Sequence, residues 1–387
     1  MIDCLNIAII APNRFPIRPP FAGGLEAHVW HLARELAEQG HRVSLFASEG
    51  STTAPRCPLL TVHPLRRSAF ASRPKPLPGA VVESDYWAYL RLMLELADRT
   101  AHSFDVIHNH SLHQLPIAMA PRLSTPMLTT FHTPPLAWLE SAIGATGGKG
   151  SAFAAVSRHT ATAWGRVANR VMVVHNGVDV NRWPAGRGGS YLVWSGRITP
   201  EKGAHLAIDA ARRAGMPLRL AGPISSVDYF REKIAPHLSE STTYAGHLGQ
   251  DELAVLVGGA AAALVTPLWD EPYGLVVAEA LACGTPVVAF ARGGIPELID
   301  SESGRLVKPH DVGAMAAAIP EAISLSRTDV RARAATACSA QTMVTTYLSI
   351  YRHLIEEQDG AVDDRLLRAP SGPWTSRQSI EHLRTPA

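Results

Sequence analysis

The densest group of residues able to do chemistry is the stretch DEPYGLVVAEALACGTPVVAF, residues 270–290. Two of its carboxylates, Glu271 and Glu279, have seven residues between them. Gly274 falls where a helix would begin, and Leu275 to Ala282 reads as a compact helical run. The first turn of a helix leaves backbone N–H groups unpaired and carries a partial positive charge. Gly274, Leu275 and Val276 therefore suit a diphosphate. Pro272 and Gly274 put Glu271 in the loop before the helix and only Glu279 inside it. A carboxylate one turn into such a helix reaches a ribose diol, as in dinucleotide folds. Glu271, at the loop, is placed to meet sugar hydroxyls. Arg197 and Lys202, in SGRITPEKG (195–203), add two cations just after a strand, where phosphate sites form.

Other polar groups narrow the chemistry. Gly23 and Gly24 precede a helical run, but they do not make up the spaced glycine fingerprint of a dinucleotide fold. His132 closes an apolar strand. His108, His110 and His113 raise the question of a metal, because residues 108 and 110 point to one face of a strand. No carboxylate or cysteine is placed with them, and the chain has no Asp-x-Asp. The expectation is no metal and no other cofactor, with Arg197, Lys202 and a helix terminus doing a metal's work.

These residues need elements to hold them. Apolar runs at 5–12, 41–48, 105–110, 127–133, 151–157 and 171–178 read as strands, and residues 25–38 as a helix with Leu25, Val29, Leu32 and Leu36 on one face. Residues 51–80, rich in Pro and Arg, read as an irregular excursion. After NRWPAGRGG (181–189) the pattern restarts, with strands at 191–196, 218–222, 242–247, 262–268 and 286–290. Strand–helix alternation in both halves predicts an α/β protein of two doubly wound, Rossmann-like domains, with parallel sheets facing across a cleft. The expected division is a first domain over 1–180, a linker over 181–189 and a second domain over 190–342. A helix over 343–358 then returns to the first domain, and a polar tail occupies 359–387.

Composition excludes several classes. The chain has 387 residues, 46% of them apolar, and a net charge of +2. That is a foldable composition, too balanced for a nucleic-acid binder. The four cysteines are far apart and unpaired in spacing, which fits a reducing cytosol. The opening residues read as a first strand rather than a leader, and no apolar run reaches the ~18 residues of a membrane span. A cytoplasmic protein is expected. Residues 56–78 hold Arg56, Arg66, Arg67, Arg73 and Lys75 with no acid, a cluster suited to weak peripheral contact with the inner face of a membrane or to the acceptor.

The whole pattern resembles family 4 of the glycosyltransferases, retaining enzymes of the GT-B fold, over about residues 5–358. The Glu271/Glu279 segment resembles that family's Glu-x7-Glu motif. AGGLEAHV (22–29) resembles its glycine loop near the donor phosphates, and TFHTP (131–135) the strand end whose histidine, here His132, contacts the transferred sugar. HNGVD (175–179) resembles the segment before the linker. LAGP (220–223) and YAGHL (244–248) resemble loops near the nucleoside, which bring in Gly222 and His247. IPELI (295–299) and SGRLV (303–307) resemble the closing signature. The resemblance implies His132, Arg197, Lys202 and Glu271 as catalytic residues. It implies Gly23, Gly24, Gly222, His247, Tyr273, Gly274, Leu275, Val276 and Glu279 as donor-binding ones. It further implies a nucleotide-diphosphate sugar donor, UDP-linked by preference, and an acceptor hydroxyl of unidentified source. An epimerase of the same fold and a non-catalytic carbohydrate-binding protein are the competing readings.

Overall fold

The computed structural model describes residues 4–53, 57–66, 80–98 and 103–358. Short runs of three to seven residues form the strands, and the central ones are buried on both faces, which is what a parallel sheet covered by helices requires. The first sheet contains β1 (Asn6–Ile10), β2 (Arg42–Ser48), β3 (Leu60–Leu65), β4 (Val106–Asn109), β5 (Met127–Phe131), β6 (Ser151–Ala155) and β7 (Val171–Val173), in the order β3-β2-β1-β4-β5-β6-β7. The second contains β8 (Leu192–Ser195), β9 (Leu218–Ala221), β10 (Thr242–Tyr244), β11 (Ala262–Val265), β12 (Val287–Phe290) and β13 (Gly304–Val307), in the order β10-β9-β8-β11-β12-β13. All the strand pairs are parallel.

One part of the expected irregular excursion is ordered as a strand. Residues 60–65 form β3, although Pro64 sits inside it, opposite Ala47. Pro lacks the N–H a central strand would need, but β3 is the sheet's edge, where one side goes unpaired anyway. Of the basic cluster expected near a membrane, Arg56, Arg67, Arg73 and Lys75 lie outside the described residues. So does the polar tail at 359–387. Among the described residues, no helix is long and apolar enough to cross a membrane.

The last helix, Ala340–Gln358, leaves the second domain and packs on the first. Met343, Val344, Tyr347, Leu348 and Tyr351 sit at helical spacing and join the core built by Ile7, Ile9, Val29 and Leu32. Tyr351 also shares a 2.6 Å hydrogen bond with buried His108.

A second joint lies at Glu297. Its carboxylate, on the second domain, accepts from the backbone N–H groups of Arg158 and His159, each at 2.9 Å, and bonds His175 Nε2 at 2.9 Å. Burial works against its ionisation, but the bond to His175 and the two N–H groups outweigh it and hold the carboxyl below its usual range. A depressed carboxyl adds stability that is complete above the unfolded value, ~4.3, and is lost as pH falls through the folded value. Glu297→Gln is therefore expected to lower the thermal midpoint near neutrality. The gap to the parent should close between about pH 6 and about pH 3. A pH-independent gap in calorimetric scans would contradict this account of the joint.

Candidate active site

In an open parallel sheet, ligands sit beyond the carboxyl ends of the strands, where the strand order reverses. That point lies between β1 and β4 in the first domain and between β8 and β11 in the second. The loops leaving these strands carry Pro12, Arg14, Leu112, Arg197, Lys202, Glu271 and Gly274. All of them line one cleft of about 450 Å³ between the domains. Gly23, Gly24, His132, Gly222, His247, Tyr273, Leu275, Val276 and Glu279 line it too, so every sequence-predicted site residue faces the same space.

The floor depends on glycine. Gly222 has φ +135°, and a Cβ there would lie 1.9 Å from the carbonyl oxygen of Gly196. Only glycine lets the ends of β8 and β9 approach so closely. Across the cleft, a Cβ on Gly24 would meet Leu275 Cδ1 at 3.1 Å, which brings the first helix (Gly24–Glu38) against the Leu275–Ala282 helix. Gly274, at φ +100°, caps the latter helix. Glu271 lies in the loop before it and Glu279 one turn within it.

The charges are arranged as pairs. Lys202 Nζ donates to Glu271 Oε2 at 2.6 Å, and the Trp269 indole N–H donates to the same oxygen at 3.0 Å. Arg197 makes a long contact, 3.9 Å, to Glu201. Glu26, buried at the start of the first helix, faces Arg197 and Arg14. Burial raises its carboxyl and those cations oppose the rise. His247 Nε2–H donates to the Phe21 carbonyl at 3.0 Å, a bond across the cleft mouth. The Tyr273 hydroxyl is turned away to the Asn176 carbonyl, so the ring lines the cleft while its O–H ties the domains together.

His132, at the end of β5, bonds His110 at the end of β4, Nε2 to Nδ1, at 2.8 Å. The trio of His108, His110 and His113, which raised the question of a metal, does not assemble. His113 instead caps the Gln114–Met119 helix and stacks on Tyr89. His28, from the first helix, takes its place: one nitrogen from each of His28, His110 and His132 lies within 4.8 Å of the others. Sequence reading missed Glu26, Arg14, Trp269 and His28 as site residues. Glu26 carried a signal, since it stands one short turn after Gly23-Gly24. His28 carried none, since only the packing of the first helix on β4 and β5 brings it in.

Two doubly wound domains with their reversal points turned toward each other across a cleft make up the GT-B architecture of glycosyltransferases. Residues 22–182 match the model of Glycosyltransferase Family 4, and residues 180–337 match that of Glycosyl transferases group 1. The chain is 30% identical to a glycogen synthase of Mycobacterium tuberculosis, over 86% of this chain and 92% of that one. It is 27% identical to a D-inositol 3-phosphate glycosyltransferase of Acidothermus cellulolyticus, over 93% of both. Among solved structures, sucrose-phosphate synthase from Thermosynechococcus elongatus superposes with a TM-score of 0.73 at 21% identity, covering 91% of this chain and 100% of that one. Anabaena Alr3699/HepE in complex with UDP-glucose superposes with a TM-score of 0.68 at 19% identity, covering 92% of this chain and all of that one. The chain belongs to the family 4 glycosyltransferases and is an enzyme of that class.

Burial pushes the Glu279 carboxyl up to about 7. The sign is destabilising: the group is neutral and without effect below the unfolded value, ~4.3, and its penalty is complete above the folded one. A carbon-13 NMR titration is expected to show one carboxyl with a midpoint of about 7, absent in Glu279→Gln. An ordinary midpoint for Glu279 would contradict this environment.

Proposed function

We propose that the enzyme transfers a sugar from a nucleotide-diphosphate sugar to an acceptor hydroxyl, with retention at the anomeric carbon and without a metal. One observation carries this reading: Arg197, Lys202 and the N-terminus of the Leu275–Ala282 helix converge on the cleft wall that also holds Glu279. Glu279 accepts from the ribose hydroxyls, the helix N–H groups and the cations hold the diphosphate, and Glu271 holds the sugar. Arrival of the donor exchanges the Lys202–Glu271 pair for a Lys202–phosphate pair and a Glu271–hydroxyl bond. The bond from the anomeric carbon to the phosphate oxygen breaks, and the acceptor oxygen attacks from the same face. The acceptor proton leaves on the departing phosphate. His132 faces the transferred sugar. UDP is the preferred nucleotide, a preference supported by the Anabaena neighbour, whose structure is a complex with UDP-glucose. The free cysteines suit a reducing cytosol.

The test is nucleotide release from UDP-, GDP- and ADP-sugars, with and without acceptor sugars, in excess chelator. Acceptor-dependent release that survives the chelator is the expected result. Conversion of the donor into another nucleotide sugar, with no glycoside formed and no nucleotide released, would favour an epimerase, no reaction with any donor a non-catalytic binder, and loss restored by Mg²⁺ a metal-dependent site. Arg197→Ala and Lys202→Ala are each expected to cut turnover by about 10²-fold or more.

The two carboxylates separate in calorimetry with the nucleotide diphosphate. Glu279→Gln is expected to weaken it roughly tenfold or more, because a charge-assisted bond contributes ~1.5–3 kcal/mol. Glu271→Gln should leave that affinity nearly unchanged and lower turnover of the full donor. Parent affinity should also fall as pH drops below about 7, as Glu279 protonates. The opposite pattern in the two variants would reverse their roles.

A further inference from the structure

Behind the cleft wall lies a buried group of neutral rings. His28, His108 and His110 are at most 3% exposed, and burial lowers the pKa of each, His28 to about 3. His108 is saturated: Nδ1 bonds the Tyr351 hydroxyl at 2.6 Å and Nε2 the Thr130 hydroxyl at 2.8 Å. The ring centres of His108 and His110 are 3.8 Å apart with the planes tilted by 46°, so the first packs against the second and restricts it. Among the described residues, the His110 ring makes one hydrogen bond, from Nδ1 to His132 Nε2, and its buried Nε2 has no partner.

A neutral imidazole carries one N–H and one lone pair. If His110 held its proton on Nε2, a buried N–H would be unpaired. If it holds it on Nδ1, only a lone pair is unpaired. An orphaned buried donor is the rarer and costlier of the two. His110 therefore donates from Nδ1, and His132 accepts at Nε2. His132 is neutral, since burial lowers its pKa too, so its own proton sits on Nδ1, the nitrogen left for the cleft.

We propose that His110 is a positioning residue that locks His132 as the Nδ1–H tautomer, so that His132 meets the sugar only as a hydrogen-bond donor. This rests on the reading that His132 faces the transferred sugar. Two consequences follow for the chemistry. The sugar atom opposite His132 is an oxygen offering a lone pair. His132 also has no lone pair on the cleft side, so it cannot take the acceptor's proton, which leaves the departing phosphate as the base. The group of His28, His110 and His132 holds no carboxylate or thiolate, and one proton is already shared between His110 and His132.

The test is long-range proton–nitrogen correlation on histidine-labelled protein, with His132→Gln identifying the His132 signals. A pyrrole-type Nδ1 and a pyridine-type Nε2 on His132 are expected. In His110→Leu the tautomer should become mixed and turnover fall about tenfold, the effect of one hydrogen bond. His110→Asn, whose amide N–H can replace Nδ1–H, should restore both to within about threefold. An Nε2-protonated His132 in the parent overturns the proposal. So does an unchanged His132 tautomer in His110→Leu, or zinc added alone binding one per chain and shifting all three ring signals. If His110→Leu does not fold, the parent spectrum and His110→Asn decide. The spectra need no substrate, so an intact Nδ1–H tautomer in a protein without transferase activity would count against the functional reading and not against this one.

Discussion

Opposite charges line the cleft, and the 2.6 Å pair between Lys202 and Glu271 holds two of them together. Each partner is largely buried, so the cost of taking both from water nearly offsets their attraction, and the pair adds little net stability. Its worth is in geometry. The Lys202 loop is pinned where Leu268 N–H donates to the Glu201 carbonyl at 2.8 Å, and the Glu271 loop where Gly294 N–H donates to the Glu271 carbonyl at 2.7 Å. A Cβ on Gly293 would lie 2.1 Å from that carbonyl, which leaves the position to glycine. Both partners are therefore set by the loops that carry them.

The same economy governs the joint between domains. Thr160 donates to the Pro272 carbonyl at 3.2 Å, Glu297 caps Arg158 and His159, and Tyr273 reaches Asn176. The bonds of Thr160 and Tyr273 are buried, whereas those from Arg158 and His159 to Glu297 are exposed, as is the bond between His247 and Phe21.

Most of the fold was legible because a parallel strand is a local signal. Ile7 to Ile10 and Val287 to Phe290 are apolar without interruption, and both form fully buried strands. The helix opened by Gly274 was equally local, since a proline, a glycine and an octet apolar but for Glu279 fall within a dozen residues. β3 was not legible, because Pro64 argues against a strand unless the strand is already known to be an edge. The histidine group was half legible. Alternation puts His108 and His110 on one face, but the arrival of His28 and the exclusion of His113 depend on how a helix docks. The pairing of Lys202 with Glu271 spans 69 positions and has no sequence signature at all.

The helix Ala340–Gln358 completes the core of the first sheet with residues from the far end of the chain. The order of synthesis and the order of assembly are thereby uncoupled. The first domain emerges from the ribosome early but lacks Tyr347 and Tyr351 until the second domain has been made. The second domain, whose own core draws on residues between Val156 and Cys338, can finish first. Until the last helix arrives, His108 has no Tyr351 hydroxyl and the apolar surface around Ile9 and Leu32 is partly open. The nascent first domain is then the species most in need of a chaperone.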